Sequence, residues 1–193
     1  GDQSSIHSSS ITWTPHRVAL SIHRALCSLG VSDSNLRIKW PNDLVWSDPT
    51  SENHEPKKIA GLICEKIGDH FVVGIGINVD SAPKLDRPTA SVKEILLEAG
   101  APESLMKNSK AAVSLLREQL VLNLEHAFSL ALKEDYVSAY RENQFFKKGQ
   151  SISWEQNRGI FDRIGDFGEL IVQLDSGVEK ALFSDDVHLN ASI

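Results

Sequence analysis

With 193 residues, 41% hydrophobic and 24% charged, the chain has the composition of an ordinary globular protein, enough for one medium domain or one plus a small appendage. Its net charge of −6 argues against a nucleic-acid-coating role, because no basic stripe is visible to neutralise phosphates. No apolar run reaches the length of a membrane span and no signal-peptide pattern opens the chain. The two cysteines, Cys27 and Cys64, sit in unrelated contexts that suggest neither a disulfide framework nor a thiolate metal site, so a reducing, cytoplasmic setting is expected.

Residues 1–11 are polar, serine-rich and without periodicity, and read as a loop or frayed end. The start at Gly1 rather than Met points to a piece of a longer chain or a natural short form. Thr14 and Pro15 predict a helix start, with Val18, Ile22, Ala25, Leu26 and Leu29 at helical spacing and Gly30 as the stop. His16 and His23 share a face of that helix. A metal pair would need more ligands, so exposed histidines are the expectation.

Leu36-Arg37-Ile38-Lys39-Trp40 alternates as a half-buried strand, with Leu36, Ile38 and Trp40 on one face and Arg37 and Lys39 on the other. Pro41 ends regular pairing, and Asp43 to Trp46 reads as a short continuation. Ser47 to Lys57 has loop composition. Ile59 to Ile67 and His70 to Asp80 are apolar segments joined at Gly68-Asp69, a predicted hairpin. Ser91-Val92-Lys93-Glu94 has the form of a capping box before a short helix ending near Gly100. A long amphipathic helix is expected over Ser109 to Leu132 and a short one over Asp135 to Glu142. Beyond Lys147 five short strands, Ser151–Trp154, Gly159–Ile164, Glu169–Leu174, Lys180–Phe183 and Val187–Leu189, suggest a small barrel.

Three segments carry chemistry in order: Lys39-Trp40-Pro41-Asn42-Asp43, Lys58-Ile59-Ala60-Gly61 and Gly74-Ile75-Gly76-Ile77-Asn78-Val79. Glycines inside a strand mark close approach by a backbone or a ligand, and lysines beside them make a seat for a carboxylate or phosphate. The third segment shares two glycines with a dinucleotide fingerprint. Val79 replaces the third, however, and the segment continues as a strand, so that reading fails on context. Trp40 points opposite Lys39 and belongs to the core. Cys64, on an apolar strand, reads as buried and inert.

In this order and spacing the segments resemble the catalytic core of biotin protein ligases. The resemblance runs from Pro15 through Val79 and more loosely to the end. It implies an α/β (α+β) fold, a class II synthetase-like core of mixed β-sheet with flanking helices over residues 1–146. A small SH3-like β-barrel would follow over 147–193. It implies activation of biotin by ATP, with Mg2+ assisting the phosphates, to biotinyl-AMP. Transfer then follows to a lysine of a biotin carboxyl carrier domain of the acetyl-CoA carboxylase type. The resemblance makes Lys39 the catalytic residue, offsetting charge as the carboxylate attacks the α-phosphate. Asn42, Lys58, Gly61, Leu62, Gly74, Gly76 and Asn78 become substrate-binding, with no metal ligand among the protein side chains. Asn42 and Asp43 are also good turn chemistry, Lys58 also suits an exposed strand start, and Asn78 also suits a strand-end cap.

Two departures stand out. The family's Gly-Arg-Gly-Arg-rich loop before the first helix does not occur in these residues. Near the end, Ser184-Asp185-Asp186-Val187 is a weakened form of the family's Ser-Gly-Glu-Val-like stretch. A non-catalytic binding or assembly module keeping the fold is therefore the rival reading, and a lipoate-type ligase is the other. A homodimer is compatible with either, and nucleic acid and membrane are not expected partners.

Overall fold

The computed structural model describes residues 12–47, 55–100, 109–129, 134–183 and 187–190. The expected terminal loop, most of the loop after Ser47 and the Ser184–Asp186 stretch lie outside the described residues.

Helix α1 (Thr14–Ser28) has its proline in the first turn, where a missing N–H costs nothing, and ends just before Gly30, whose φ is +97°. Its apolar stripe, Val18, Ile22, Ala25 and Leu26, is fully buried, each larger side chain contributing roughly 1.5–3 kcal/mol. His16 and His23 are buried too, which corrects the expectation of exposed histidines. Helical spacing gave the shared face correctly, but the face turned out to be covered. The His16 ring packs against Trp13 and Tyr140, with centroids 4.9 and 4.7 Å away.

Strands β1 (Leu36–Lys39), β2 (Asp43–Trp46), β3 (Lys57–Ile67) and β4 (His70–Ile77) form a sheet in the order β1-β2-β3-β4. Every pairing in it is antiparallel. β2 is therefore not a continuation of β1. The chain reverses across Trp40-Pro41-Asn42, where the Trp40–Pro41 peptide is cis and proline has no N–H for the ladder, and Lys39 comes to lie opposite Asp43. The predicted hairpin between β3 and β4 turns at Gly68, in the left-handed region, with Ile67 opposite His70. Cys64 is half-buried, more accessible than its apolar strand suggested.

Helix α2 (Val92–Glu98) carries the complete capping box. The Ser91 hydroxyl accepts from Glu94 N, and the Glu94 carboxylate accepts from Ser91 N at 2.6 Å. Helices α3 (Ser109–Ser129) and α4 (Glu134–Glu142) pack beside α1, where Ser21 Oγ and Arg17 reach the carbonyls of Asn123 and Ala127. After α4, the chain runs beside the free edge of β1: Ile38 N donates to Asn143 O and Phe145 N to Ile38 O. That covers an edge which would otherwise expose unpaired backbone groups.

A second antiparallel sheet follows, in the order β8-β7-β6-β5-β9. Its strands are β5 (Ser151–Trp154), β6 (Asn157–Ile164), β7 (Leu170–Gln173), β8 (Glu179–Leu182) and β9 (Val187–Leu189). The five strands fall where the turn residues predicted them, within one or two residues at most ends. The two sheets share one apolar core, in which Trp13, Trp40 and Tyr140 join Ile152, Trp154 and Phe161. Two indoles anchor the turn between β6 and β7 to the rest of the chain: Trp13 Nε1, at the start of α1, donates to Asp166 O at 2.7 Å, and Trp40 Nε1, just after β1, to Gly168 O at 2.9 Å. Gly168 adopts φ +83°, and a Cβ there would lie 2.5 Å from the His16 ring, so both conformation and space require glycine. Arg141 adds hydrogen bonds to the carbonyls of Ile164 and Gly165.

Candidate functional site

The register of the first sheet aligns one residue from each strand. Lys39 lies opposite Asp43, Asp43 opposite Gly61, and Gly61 opposite Gly76. Side chains alternate along each strand, so this row occupies one face, while Ile38, Leu44, Ala60 and Leu62 enter the core from the other. The next pair along the open face, Ile63 and Gly74, extends the shallow glycine-lined strip. Among the described residues, chain neighbours aside, no atom lies within 4 Å of a Cβ position at Gly74, and at Gly76 only the Gly61 carbonyl reaches 4.0 Å. The strip is open to a flat ligand.

A register shift between Leu44 and Val45 brings Lys58 to the same neighbourhood. Lys58 Nζ pairs with Asp43 Oδ1, and Arg87 donates to Asp43 Oδ2 at 3.2 Å. The Asp43 side chain is only 9% exposed, against 23% for Lys58 and 47% for Arg87. One buried carboxylate thus orients two cations at the mouth of a cleft. The loop bearing Arg87 is held in place by backbone bonds, Lys58 N to Pro88 O at 2.9 Å and Ala90 N to Lys58 O at 3.0 Å. Lys39, Asp43, Lys58 and Arg87 line a cavity of about 170 Å³, together with Glu55, Phe145 and His188. Three cationic side chains against the carboxylates of Asp43 and Glu55 leave a small positive excess around the cavity, which suits an anionic group.

The expected site residues divide on this geometry. Lys39, Lys58, Gly61, Gly74 and Gly76 converge on the open face. Asn42 is exposed and laces the turn to β3, Nδ2 donating to Leu62 O at 3.1 Å while its own carbonyl accepts from Leu62 N at 2.9 Å. The Leu62 side chain lies in the core, opposite the glycines. Asn78 donates through Nδ2 to the carbonyls of Lys58 and Ala90, at 3.3 and 3.1 Å, and so ties the end of β4 to the segment leading into α2. Sequence reasoning missed Arg87 and read Asp43 as structural first, with nucleotide- or metal-side contacts as the minor alternative. The signal for Asp43 was its place opposite a glycine, visible only once the pairing of β2 with β3 is known.

Residues 2–80, which hold all three motif segments, match the Biotin/lipoate A/B protein ligase family. That match covers less than half of the chain. Biotin--protein ligase 2 of Arabidopsis thaliana is 26% identical over 113 residues, covering 56% of this chain and 29% of its own length. The chain therefore spans under a third of that relative. The biotin protein ligase of Aquifex aeolicus superposes with a TM-score of 0.68 at 19% identity, over 94% of this chain and 76% of that one. The same enzyme in complex with biotin and ATP gives 0.63 at 20% identity, over 92% and 71%. The Leishmania major ligase in complex with biotinyl-5-AMP gives 0.52 at 19%, over 89% and 71%. At these identities the likeness is one of fold. Both the family segment and the wider biotin ligase fold thus include the sheet that carries the Lys39–Gly76 row.

Among the described residues no helix is long and apolar enough to cross a membrane.

Proposed function

We propose that this chain is the core of a biotin–protein ligase and that the open face of the first sheet is its substrate site. The observation that carries the reading is the convergence of Lys39, Lys58 and Arg87 on one cavity beside a glycine-lined strip. In the first step a biotin carboxylate oxygen attacks the α-phosphorus of ATP, the α–β phosphoanhydride bond breaks, and pyrophosphate leaves. Lys39 and Lys58 would hold the carboxylate and α-phosphate together and offset the charge that builds between them. In the second step a lysine amine of a carboxylase carrier domain attacks the acyl carbon. The acyl carbon–oxygen bond breaks, AMP leaves, and the amine nitrogen loses a proton.

The glycine strip fits a flat ring system against the backbone. Both Asp43 oxygens are engaged by cations, so Mg2+ would come bound to the ATP phosphates, where it neutralises charge. Residues 1–146 would form the catalytic unit and 147–193 an SH3-like unit that helps seat the carrier, with His188 reaching the lining of the cleft.

The test is transfer of biotin to a carrier domain in the presence of ATP and Mg2+, with lipoate as the competing substrate. Biotin transfer that falls in Lys39→Ala supports the reading. Binding of biotinyl-AMP without transfer by any form of the chain carrying the family loop favours the non-catalytic module, and preference for lipoate overturns the substrate.

A further inference from the structure

Away from that face, the end of α1 and the turn leading into β1 bring together three side chains of different ligand type. His23 and Cys27 are one helical turn apart, and Cys27 Sγ lies 3.9 Å from His23 Nδ1. Asp33, in the following turn, places Oδ1 3.8 Å from the same sulfur. One ring nitrogen of His23, the Cys27 sulfur and an Asp33 carboxylate oxygen lie within 4.8 Å of one another. Bond lengths of about 2.3 Å to sulfur and 2.0–2.2 Å to nitrogen or oxygen set ligand–ligand edges near 3.5 Å in a tetrahedral zinc site. The two edges to sulfur are a few tenths of an ångström longer, and the exposed Asp33 carboxylate is the ligand that would swing toward the ion to close the set.

The histidine is already oriented for this role. Its ring is buried, and Nε2 sits 3.2 Å from the Leu36 carbonyl, the backbone partner that fixes a ligating histidine with its other nitrogen toward the metal. Asp33 Oδ1 also lies 3.6 Å from Nε2, longer than the Leu36 contact, so the carbonyl sets the ring. The geometry points to a binding site for a divalent cation of the zinc class, held by His23 Nδ1, Cys27 Sγ and Asp33 Oδ1 with a fourth position left to water.

A nucleophilic reading of Cys27 and His23 fails. Burial, and then the nearby Asp33 carboxylate, push the Cys27 thiol up to about 11, so the resting group is the thiol. A cation between the three would release that proton and bind the thiolate. Arg24 and Arg37 lie close enough to oppose a dication, and the thiolate and carboxylate charges offset them. Bound there, the ion would join α1 to the turn before β1, the strand that delivers Lys39.

Titration of the tag-free protein with Co(II) followed by Zn(II) tests the site without reference to biotin transfer. One equivalent of Co(II) is expected to give a thiolate-to-cobalt charge-transfer band that Zn(II) displaces. Cys27→Ser should remove the band. Asp33→Asn, an exposed change that leaves the fold intact, should weaken binding about 10-fold or more. Absence of stoichiometric binding, or a band and affinity unchanged in both variants, would overturn the site.

Discussion

Gly61 stands opposite Asp43 across β2 and β3, and the side chain it lacks is what lets Lys58 close on the Asp43 carboxylate. A Cβ at 61 would lie 2.8 Å from Lys58 Nζ, 2.9 Å from its Cε and 3.1 Å from Asp43 Oδ1. The glycine that reads from sequence as room for a ligand is also room for an ion pair. That pair sets where the cavity's positive charge points.

Gly61→Ala follows directly. The clashing atoms belong to the flexible end of a lysine, so the fold should survive with a stability change of about 1 kcal/mol or less. The displaced ammonium, however, would lose its place in the cavity. A contact to a charged group is worth roughly 1.5–3 kcal/mol, so affinity for biotinyl-AMP should fall about 10-fold to 100-fold. Thermal melts beside calorimetry separate the two effects.

Asp43→Asn should cost more stability than Arg87→Gln. The carboxylate is buried and serves two cations, whereas Arg87 is half exposed and its pairing is weakened by solvent. We expect about 1–3 kcal/mol for the first and under about 1 kcal/mol for the second in urea unfolding. Equal losses would mean that burial does not set the hierarchy.

His16 gives the protein an acid-sensitive limb. Burial between Trp13 and Tyr140 pushes its imidazole down from 6.5 to about 4. Above pH 6.5 the ring is neutral both folded and unfolded, and contributes no pH dependence. Between 6.5 and 4 the unfolded chain takes up a proton that the folded chain refuses. Stability therefore falls as pH falls, by up to about 3 kcal/mol from this group, and the loss levels off below pH 4. His23, also pushed down by burial, acts in the same direction. Melting curves across this range should be flatter for His16→Leu than for wild type. Superimposable slopes would show that His16 carries its charge in the fold.

Truncation before Lys147 removes the carbonyl acceptors of two buried indoles, Asp166 O for Trp13 and Gly168 O for Trp40. Each loss costs about 1–3 kcal/mol. The shortened chain should keep cooperative melting and its helical signal at lower stability, with tryptophan emission shifted to the red. Loss of cooperative melting would refute a division at 146.

Local chemistry made much of this fold readable. Ser91 and Glu94 announce their helix because both halves of the capping box lie within four residues, and Gly68-Asp69 announces its hairpin for the same reason. Lys39 and the glycines of β3 and β4 could be singled out because lysines and strand glycines are conspicuous where pairing is interrupted. What escaped depends on distant partners. Asp43 looked like turn chemistry until β2 was found to double back and pair with β3, and Arg87 reaches it from 44 residues along the chain. His16 and His23 looked exposed because helix periodicity identifies a face without saying what covers it. Cys27 and Asp33 meet only through the turn that follows α1.

The central claim is that Lys39 faces an anion on the open side of the first sheet. Calorimetric titration of biotinyl-AMP into wild type and Lys39→Ala tests it most directly. Loss of one charged contact predicts affinity about 10-fold to 100-fold weaker in the variant, with its melting temperature unchanged because Lys39 lies outside the packed core. Equal affinity in the two proteins would contradict the claim and remove Lys39 from the site.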